Sequence, residues 1–263
     1  MAYVVCRPFG LRIAGHRVCA SAGRVKMLLG PPPHHNTGDF KSHRIRLPDK
    51  EYGEALDCLV KACSDMLLLS PDGGKVFLGK RLVQPQPDWW FVGGRIFPGE
   101  TPARSCCRLL KRELGLEIDP SRLQPVCCQS LAWGMREQPP KEHGTTDSQY
   151  VLSLRLSAAE VEKVVLDPSE YETSQWLEPS TILAGDFHPA LKFAVHALAA
   201  REKMGELSAA VAAHPDNDVE VARLARELVA LAANNGPVPA GTSDYRVVAP
   251  ALQYECAVTT DFA

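Results

Sequence analysis

The chain has 263 residues, of which 45% are hydrophobic and 23% are charged, and this composition is typical of a globular protein with one main domain and extensions. Its 29 basic and 31 acidic residues give a net charge of −2, which provides no overall indication of nucleic-acid binding. The sequence has no long uninterrupted apolar run, so we expect neither a transmembrane helix nor a membrane partner.

The N-terminal segment 1–38 differs from the rest of the chain in charge. It contains four arginines, one lysine and no acidic residue, and removing this +5 from −2 leaves −7 for residues 39–263. An acid-free basic start is typical of a mitochondrial or plastid transit peptide, and equally of a basic tail without fixed structure. The first interpretation predicts an organelle and the second the cytoplasm. Pro and His residues at 30–36 predict a linker.

Hydrophobic periodicity and turn residues predict the elements of one main domain over residues 39–201. A helix is expected to end within 56–62, and a turn at 70–74 is expected to join two strands. The predicted strands are 65–69, 76–81, 122–134, 149–156 and 174–177, and a further helix is predicted over 189–200. An apolar stripe then predicts a helical extension over 202–235, which packs back on the domain or binds a partner. Three prolines predict an irregular tail over 236–263.

The most informative segment is a predicted helix over 101–114, which lies between Gly99 and Gly115. Its apolar stripe consists of Ala103, Cys107, Leu110 and Leu114. Leu109, Arg112 and Glu113 are three and four residues apart and therefore share another face. Carboxylates are the ligands that Mg²⁺ prefers, and the guanidinium of Arg112 repels a second cation. The segment therefore predicts one Mg²⁺ at most.

Five residues around this helix keep the spacing of a known motif. Gly94, Glu100, Arg108, Glu113 and Gly115 are spaced as in the Nudix box, G-x5-E-x7-R-E-U-x-E-E-x-G-U, where U is aliphatic. Two of the three glutamates in the R-E-U-x-E-E core are replaced, by Leu109 and Arg112. The resemblance implies a Nudix hydrolase, folded as an α/β/α sandwich around a mixed sheet. Fold alone does not identify the substrate.

The sequence flanking the box is most similar to the GDP-mannose mannosyl hydrolase branch of the Nudix superfamily, whose box also runs R-L-x-x-x-E-L-G-L. The resemblance covers residues 45–201 and is strongest over 75–118. It implies that water replaces a nucleoside diphosphate at the anomeric carbon of a nucleotide sugar. It also implies one Mg²⁺ that neutralises the diphosphate, and a homodimer, which is frequent in this branch.

The resemblance also implies roles for individual residues. The metal ligands would be the Gly93 carbonyl, Glu113 and Glu170. The diphosphate would be held by Arg81, Arg95 and Arg108, a role that suits the planar guanidinium group. Asp65 would lie near the sugar, and Tyr150 would contact the leaving group.

The general base is the main departure from the branch. The histidine that serves as base there is replaced by Tyr171, and a tyrosine with a pKa near 10 is a poor base at neutral pH. Glu170, Glu172 and His143 are alternative bases. A second histidine of the branch, just after a tryptophan motif, is replaced by Met135 or Arg136.

Two functions follow from these observations. The first is an Mg²⁺-dependent hydrolase of a nucleoside-diphosphate sugar or a related nucleoside diphosphate derivative. The second is a catalytically silent Nudix-fold subunit that binds a nucleotide or acts as a scaffold in an organellar complex. Leu109, Arg112 and the missing histidine favour the second function. The combination of Leu109 with Glu113 is the arrangement of the active branch itself, and we therefore favour the enzyme.

Overall fold

A computed structural model describes residues 32–213 and 217–233, together with the backbone of Tyr245–Val248 and Glu255–Val258. Most of the basic N-terminal segment, residues 1–31, lies outside the described residues, and so does the prediction of a transit peptide made for it. Within the described part of the chain, every helix is too short or too polar to cross a membrane.

The described chain contains both helices and strands. The helices are α1 (Asp49–Cys58), α2 (Pro102–Leu114), α3 (Ala158–Val161), α4 (Pro179–Ala184), α5 (Pro189–Ala213) and α6 (Asp218–Ala233). The strands are β1 (Lys61–Leu69), β2 (Val76–Arg81), β3 (Trp89–Trp90), β4 (Val92–Arg95), β5 (Gln124–Trp133), β6 (Thr145–Arg155), β7 (Tyr171–Leu177), β8 (Tyr245–Val248) and β9 (Glu255–Val258). The first helix ends at Cys58, within the predicted range 56–62, and β1 begins at Lys61.

The central sheet is mixed and has seven strands. Strand β1 lies in its middle and pairs in parallel with β6, with Lys61 opposite Asp147 and Asp65 opposite Val151. On its other side, β1 pairs antiparallel with β4 over its first half and with β2 at its end. The β1–β2 connection is the predicted turn, closed by a hydrogen bond from the Ser70 amide to the Lys75 carbonyl, 2.9 Å long.

Helices cover both faces of this sheet. Successive side chains of a strand point to opposite faces, so Met66 and Leu68 enter the core beneath α2, whereas Leu67 and Leu69 enter the core beneath α5. Both cores consist mainly of aliphatic and aromatic side chains, and burial of such side chains stabilises a fold by about 1.5–3 kcal/mol each. The arrangement is the α/β/α sandwich around a mixed sheet that the sequence predicted.

Helix α2 begins and ends where its sequence predicts. The Thr101 hydroxyl accepts a hydrogen bond from the Arg104 amide at 3.2 Å, and Gly115 ends the helix in a left-handed conformation with φ of 69°, a conformation that glycine adopts without steric cost. Leu109 is 1% exposed and belongs to the core. Cys106 is the fully buried cysteine of this helix, and the predicted Cys107 is only partly buried.

The C-terminal elements differ from their predictions in two ways. Helix α5 continues to Ala213, so the predicted domain boundary at residue 201 falls inside a continuous helix. Helix α6 packs on it, with a His196 ring nitrogen 2.8 Å from the Leu231 carbonyl oxygen. Strands β8 and β9 pair antiparallel, which corrects the expectation that 236–263 is irregular throughout. Their valines and aromatic residue are strand-forming types.

Candidate active site

A cleft lies over the first halves of β1 and β6. Alternate residues of parallel neighbouring strands point to one face, and the register places Lys61 beside Asp147 and Cys63 beside Gln149. The cleft floor accordingly consists of six side chains from these strands: Lys61, Cys63, Asp65, Thr145, Asp147 and Gln149. A floor of polar side chains in an otherwise apolar sheet is a binding surface rather than a core.

Arginine side chains line the same cleft. Arg81 comes from the end of β2, Arg95 from the end of β4 and Arg112 from α2. Arg81 Nη2 lies 3.8 Å from one oxygen of Glu170, and Arg112 Nη2 lies 3.9 Å from the other. The guanidinium carbon of Arg95 lies 4.7 Å from the centre of the Tyr52 ring. Guanidinium groups so placed are suited to binding a diphosphate.

Glu113 lies beneath this arginine layer and is 1% exposed. One of its oxygens accepts a hydrogen bond from Arg112 Nη2, and the other accepts one from the Tyr171 hydroxyl at 2.5 Å. Burial raises the pKa of Glu113 above its usual range, although these two hydrogen bonds act in the opposite direction. Burial and the neighbouring Glu113 also raise the pKa of Tyr171. Tyr171 is therefore a hydrogen-bond donor to Glu113, and the geometry does not support a role as general base.

Asp65 is the carboxyl group best placed for acid–base chemistry. Its side chain is 4% exposed and lines the cleft, and its Oδ2 has no hydrogen-bond partner among the described residues. Burial raises the pKa of Asp65 to about 7, even though a hydrogen bond from Gln149 and the charge of Arg81 lower it. A carboxyl group that titrates near neutral pH is suited to accept and release a proton there.

Gly93 allows Asp65 to occupy this position. A Cβ added at Gly93 would lie 2.2 Å from Asp65 Oδ1 and 2.7 Å from Asp65 Cα. We therefore expect Gly93→Ala to lower the free energy of unfolding by about 1–3 kcal/mol in urea unfolding. The control is Gly205→Ala in α5, where an added Cβ meets nothing within 4 Å and alanine favours the helix. Equal stability of the two variants would contradict this close approach.

Two predicted substrate-binding residues are not brought to the cleft. Arg108 forms a bidentate ion pair with Glu100, with distances of 2.7 and 2.9 Å, and donates to the Arg95 carbonyl at 2.9 Å. These contacts stabilise the loop before α2, and Arg108 does not line the cleft. Tyr150 packs against the core beneath α2, because its place in β6 alternates with that of Gln149 and its side chain points to the opposite face. Both expectations are corrected accordingly.

The alternative general bases also lie apart from the cleft lining, with the exception of Glu170. His143 is exposed and contacts Asp57 at 3.1 Å, and Glu172 pairs with Lys80 at 2.7 Å. Neither residue lines the cleft. Of the carboxylates considered from the sequence, Asp65 and Glu170 are the ones that face it.

Sequence reasoning missed the far end of the cleft. Lys61 Nζ lies 3.1 Å from Asp147 Oδ1 there, and Trp133 Nε1 donates to Asp147 Oδ2 at 2.9 Å. The buried Arg136 and Thr145 line the same end, and Arg136 Nη2 and Thr145 Oγ1 have no partner among the described residues. The alternation of Thr145, Asp147 and Gln149 was the signal for a polar strand face.

The residues present do not fit the predicted Mg²⁺ site on Gly93, Glu113 and Glu170. Both oxygens of Glu113 already accept hydrogen bonds, and both oxygens of Glu170 lie within 4 Å of a guanidinium group. Leu109 is buried in the core and offers no oxygen. The described residues include no group of three His, Cys, Asp or Glu side chains that could hold a metal ion.

The mixed sheet between helices, the box helix that carries Glu113 and the arginine-lined cleft are the features expected of a Nudix domain. The NUDIX domain model matches residues 62–198, more than half of the chain, and the chain therefore belongs to the Nudix family and is a Nudix hydrolase. Enzymes of this family generally use a divalent metal, which makes the donor set of this chain unusual.

The individual relatives share a low sequence identity with this chain. The chain is 29% identical over 121 residues to an RNA pyrophosphohydrolase from Acinetobacter baylyi, a match that covers 42% of this chain and 69% of that protein. Among solved structures, a MutT NUDIX hydrolase from Burkholderia pseudomallei has a TM-score of 0.43 at 17% identity, covering 53% of this chain and 98% of that one. A C. elegans Ap4A hydrolase has a TM-score of 0.38 at 14% identity, with coverage of 54% and 98%.

Proposed function

We propose that this Nudix hydrolase cleaves a nucleoside-diphosphate sugar similar to GDP-mannose and releases free sugar and nucleoside diphosphate. The observation that carries the proposal is one cleft lined by Arg81, Arg95, Arg112 and the buried Asp65. The three guanidinium groups suit a diphosphate leaving group. Asp65 is suited to accept the proton of an attacking water molecule.

In the proposed reaction, the oxygen of water attacks the anomeric carbon of the sugar. The bond between that carbon and the diphosphate oxygen breaks, and its electron pair leaves with the diphosphate. Asp65 takes the proton that the water loses, and the arginines neutralise the charge that develops on the leaving group. Fixed positive groups aimed at developing charge are among the strongest contributions to catalysis.

One observation favours a second function, a catalytically silent subunit that binds a nucleotide. Glu113 is the glutamate that remains in the R-E-U-x-E-E core, and its two oxygens accept hydrogen bonds from Arg112 and Tyr171. This arrangement supports binding of a nucleoside diphosphate as well as it supports turnover. The second function predicts a ligand in the cleft and no product.

Product analysis in ¹⁸O water tests the proposed function. The full-length protein is incubated with GDP-, UDP- and ADP-sugars, in the presence of either Mg²⁺ or EDTA. The products are separated by ion exchange, and mass spectrometry shows which of them contains ¹⁸O. We expect labelled free sugar and unlabelled nucleoside diphosphate. Nucleoside monophosphate together with sugar phosphate would show attack at phosphorus and contradict the proposal. Absence of product across the panel would favour the silent subunit.

A further inference from the structure

The two glutamates predicted to bind the metal, Glu113 and Glu170, are already engaged by neighbouring side chains. The three glutamate positions of the R-E-U-x-E-E core hold a buried leucine, an arginine and a glutamate whose two oxygens are both engaged. Glu170 lies between Arg81 and Arg112, at 3.8 and 3.9 Å. A dication bound to Glu170 would lie close to both guanidinium groups, and like charges at such distances repel strongly away from bulk water.

Arg112 occupies a position at which the Nudix box has a glutamate. Its side chain lines the cleft and is 50% exposed, whereas its anchor, Glu113, is 1% exposed. The buried Glu113 carboxylate thus accepts a hydrogen bond from one nitrogen of the Arg112 guanidinium. The exposed part of the Arg112 side chain lines the cleft. Gly94 has no side chain that could cover this guanidinium group, and a Cβ added at Gly94 would lie 4.0 Å from Arg112 Nη2. A guanidinium group presents five N–H donors, so donors remain for a phosphate.

We propose that Arg112 supplies the positive charge that a divalent ion supplies in other Nudix sites, so that this cleft binds a nucleoside diphosphate without metal. The inference rests on the proposed function only for the class of ligand. Arg81 and Arg95 line the same cleft and provide the second and third charges. Three guanidinium groups match the negative charge of a diphosphate, and arginine binds phosphate through paired hydrogen bonds.

Calorimetric titration of the full-length protein with GDP tests the inference. The titration is run in EDTA and repeated with Mg²⁺. We expect the wild-type protein to bind GDP in EDTA with a Kd within about twofold of its value in Mg²⁺, a change below about half a kcal/mol. Arg112→Ala should weaken binding in EDTA by about 10–100-fold, the usual loss for a hydrogen bond to a charged group.

Two further variants complete the design. Arg112→Glu restores the carboxylate of the box at this position, and we expect it to bind GDP only when Mg²⁺ is present. Arg104→Ala removes an exposed arginine of the same helix that does not line the cleft, and it should bind GDP as the wild type does. Melting curves of each variant show whether a loss of binding reflects a loss of folding.

The outcomes separate this inference from the proposed function. Binding in EDTA without any sugar release would support the inference and count against the hydrolase. Binding and turnover that both require Mg²⁺ would overturn the inference and leave the hydrolase standing. Wild-type affinity of Arg112→Ala in EDTA, or no binding of GDP under either condition, would also overturn it.

Discussion

Asp65→Asn is expected to lower kcat by about 10²–10⁴-fold while changing KM little. The asparagine keeps the shape of the side chain in the cleft but has no basic oxygen to accept the proton of water. The pKa of Asp65 is raised to about 7, and a base acts only when it is ionised. The rate of the wild-type enzyme should therefore rise as the pH increases through about 7 and become constant above it.

The pH profile of kcat distinguishes Asp65 from a residue with a structural role. The residual rate of Asp65→Asn should not show the rise near pH 7. Asp72→Asn, in the exposed turn after the same strand, should keep both the rate and the profile of the wild type. Persistence of the same rise in Asp65→Asn would show that another group is the base.

The stability of Asp65→Asn should change in the opposite direction to its activity. The pKa of Asp65 in the folded state is above its ordinary value of 3.8, so the folded protein binds this proton more tightly than the unfolded chain does. The free energy of unfolding therefore falls as the pH rises from about 4 to about 7. Asparagine avoids this loss, and the variant should be more stable above pH 7, by on the order of 1–3 kcal/mol. Near pH 4 the difference should largely disappear.

The sequence predicted those parts of the fold that depend on local pattern. Helix α2 was expected over 101–114 and spans Pro102–Leu114, because its apolar spacing, Thr101 and Gly115 are all local signals. The start of β6 was placed at 149 and lies at Thr145. Its first inward-facing residues are polar because they line the cleft, and a polar face hides the alternation that identifies a strand.

The site was predictable only where a motif fixes a residue in space. The spacing of the box predicted Glu113, and similarity to the branch added Gly93, Arg81, Arg95 and Asp65, which line the cleft. Tyr150 failed to reach the cleft because strand alternation, which a short motif does not fix, turned it to the other face. Contacts between distant segments, such as that between Arg136 and Asp57, depend on the completed fold and leave no periodic signal.

Arg136→Met is expected to lower the free energy of unfolding by about 2–4 kcal/mol. The Arg136 side chain is 1% exposed and makes three hydrogen bonds: to Asp57 Oδ1 at 2.6 Å, to the Gly144 carbonyl at 3.1 Å and to the Gln138 carbonyl at 3.1 Å. Methionine has a comparable volume but no hydrogen-bond donor, so all three acceptors lose their hydrogen bond from residue 136. Asp57→Asn, which keeps an acceptor oxygen on a partly exposed residue, should lose less in the same urea titration.

Arg136 should also affect the ligand, because its side chain lines the cleft. Arg136 Nη2 has no hydrogen-bond partner among the described residues, and a buried donor left without a partner costs about 1–3 kcal/mol. A ligand that places an acceptor at this end of the cleft removes that cost on binding. GDP affinity, measured well below the melting temperature, should therefore fall in Arg136→Met and stay near the wild-type value in Asp57→Asn. Unchanged affinity in both variants would show that Arg136 has no role in binding and only stabilises the contact between α1 and the 134–144 loop.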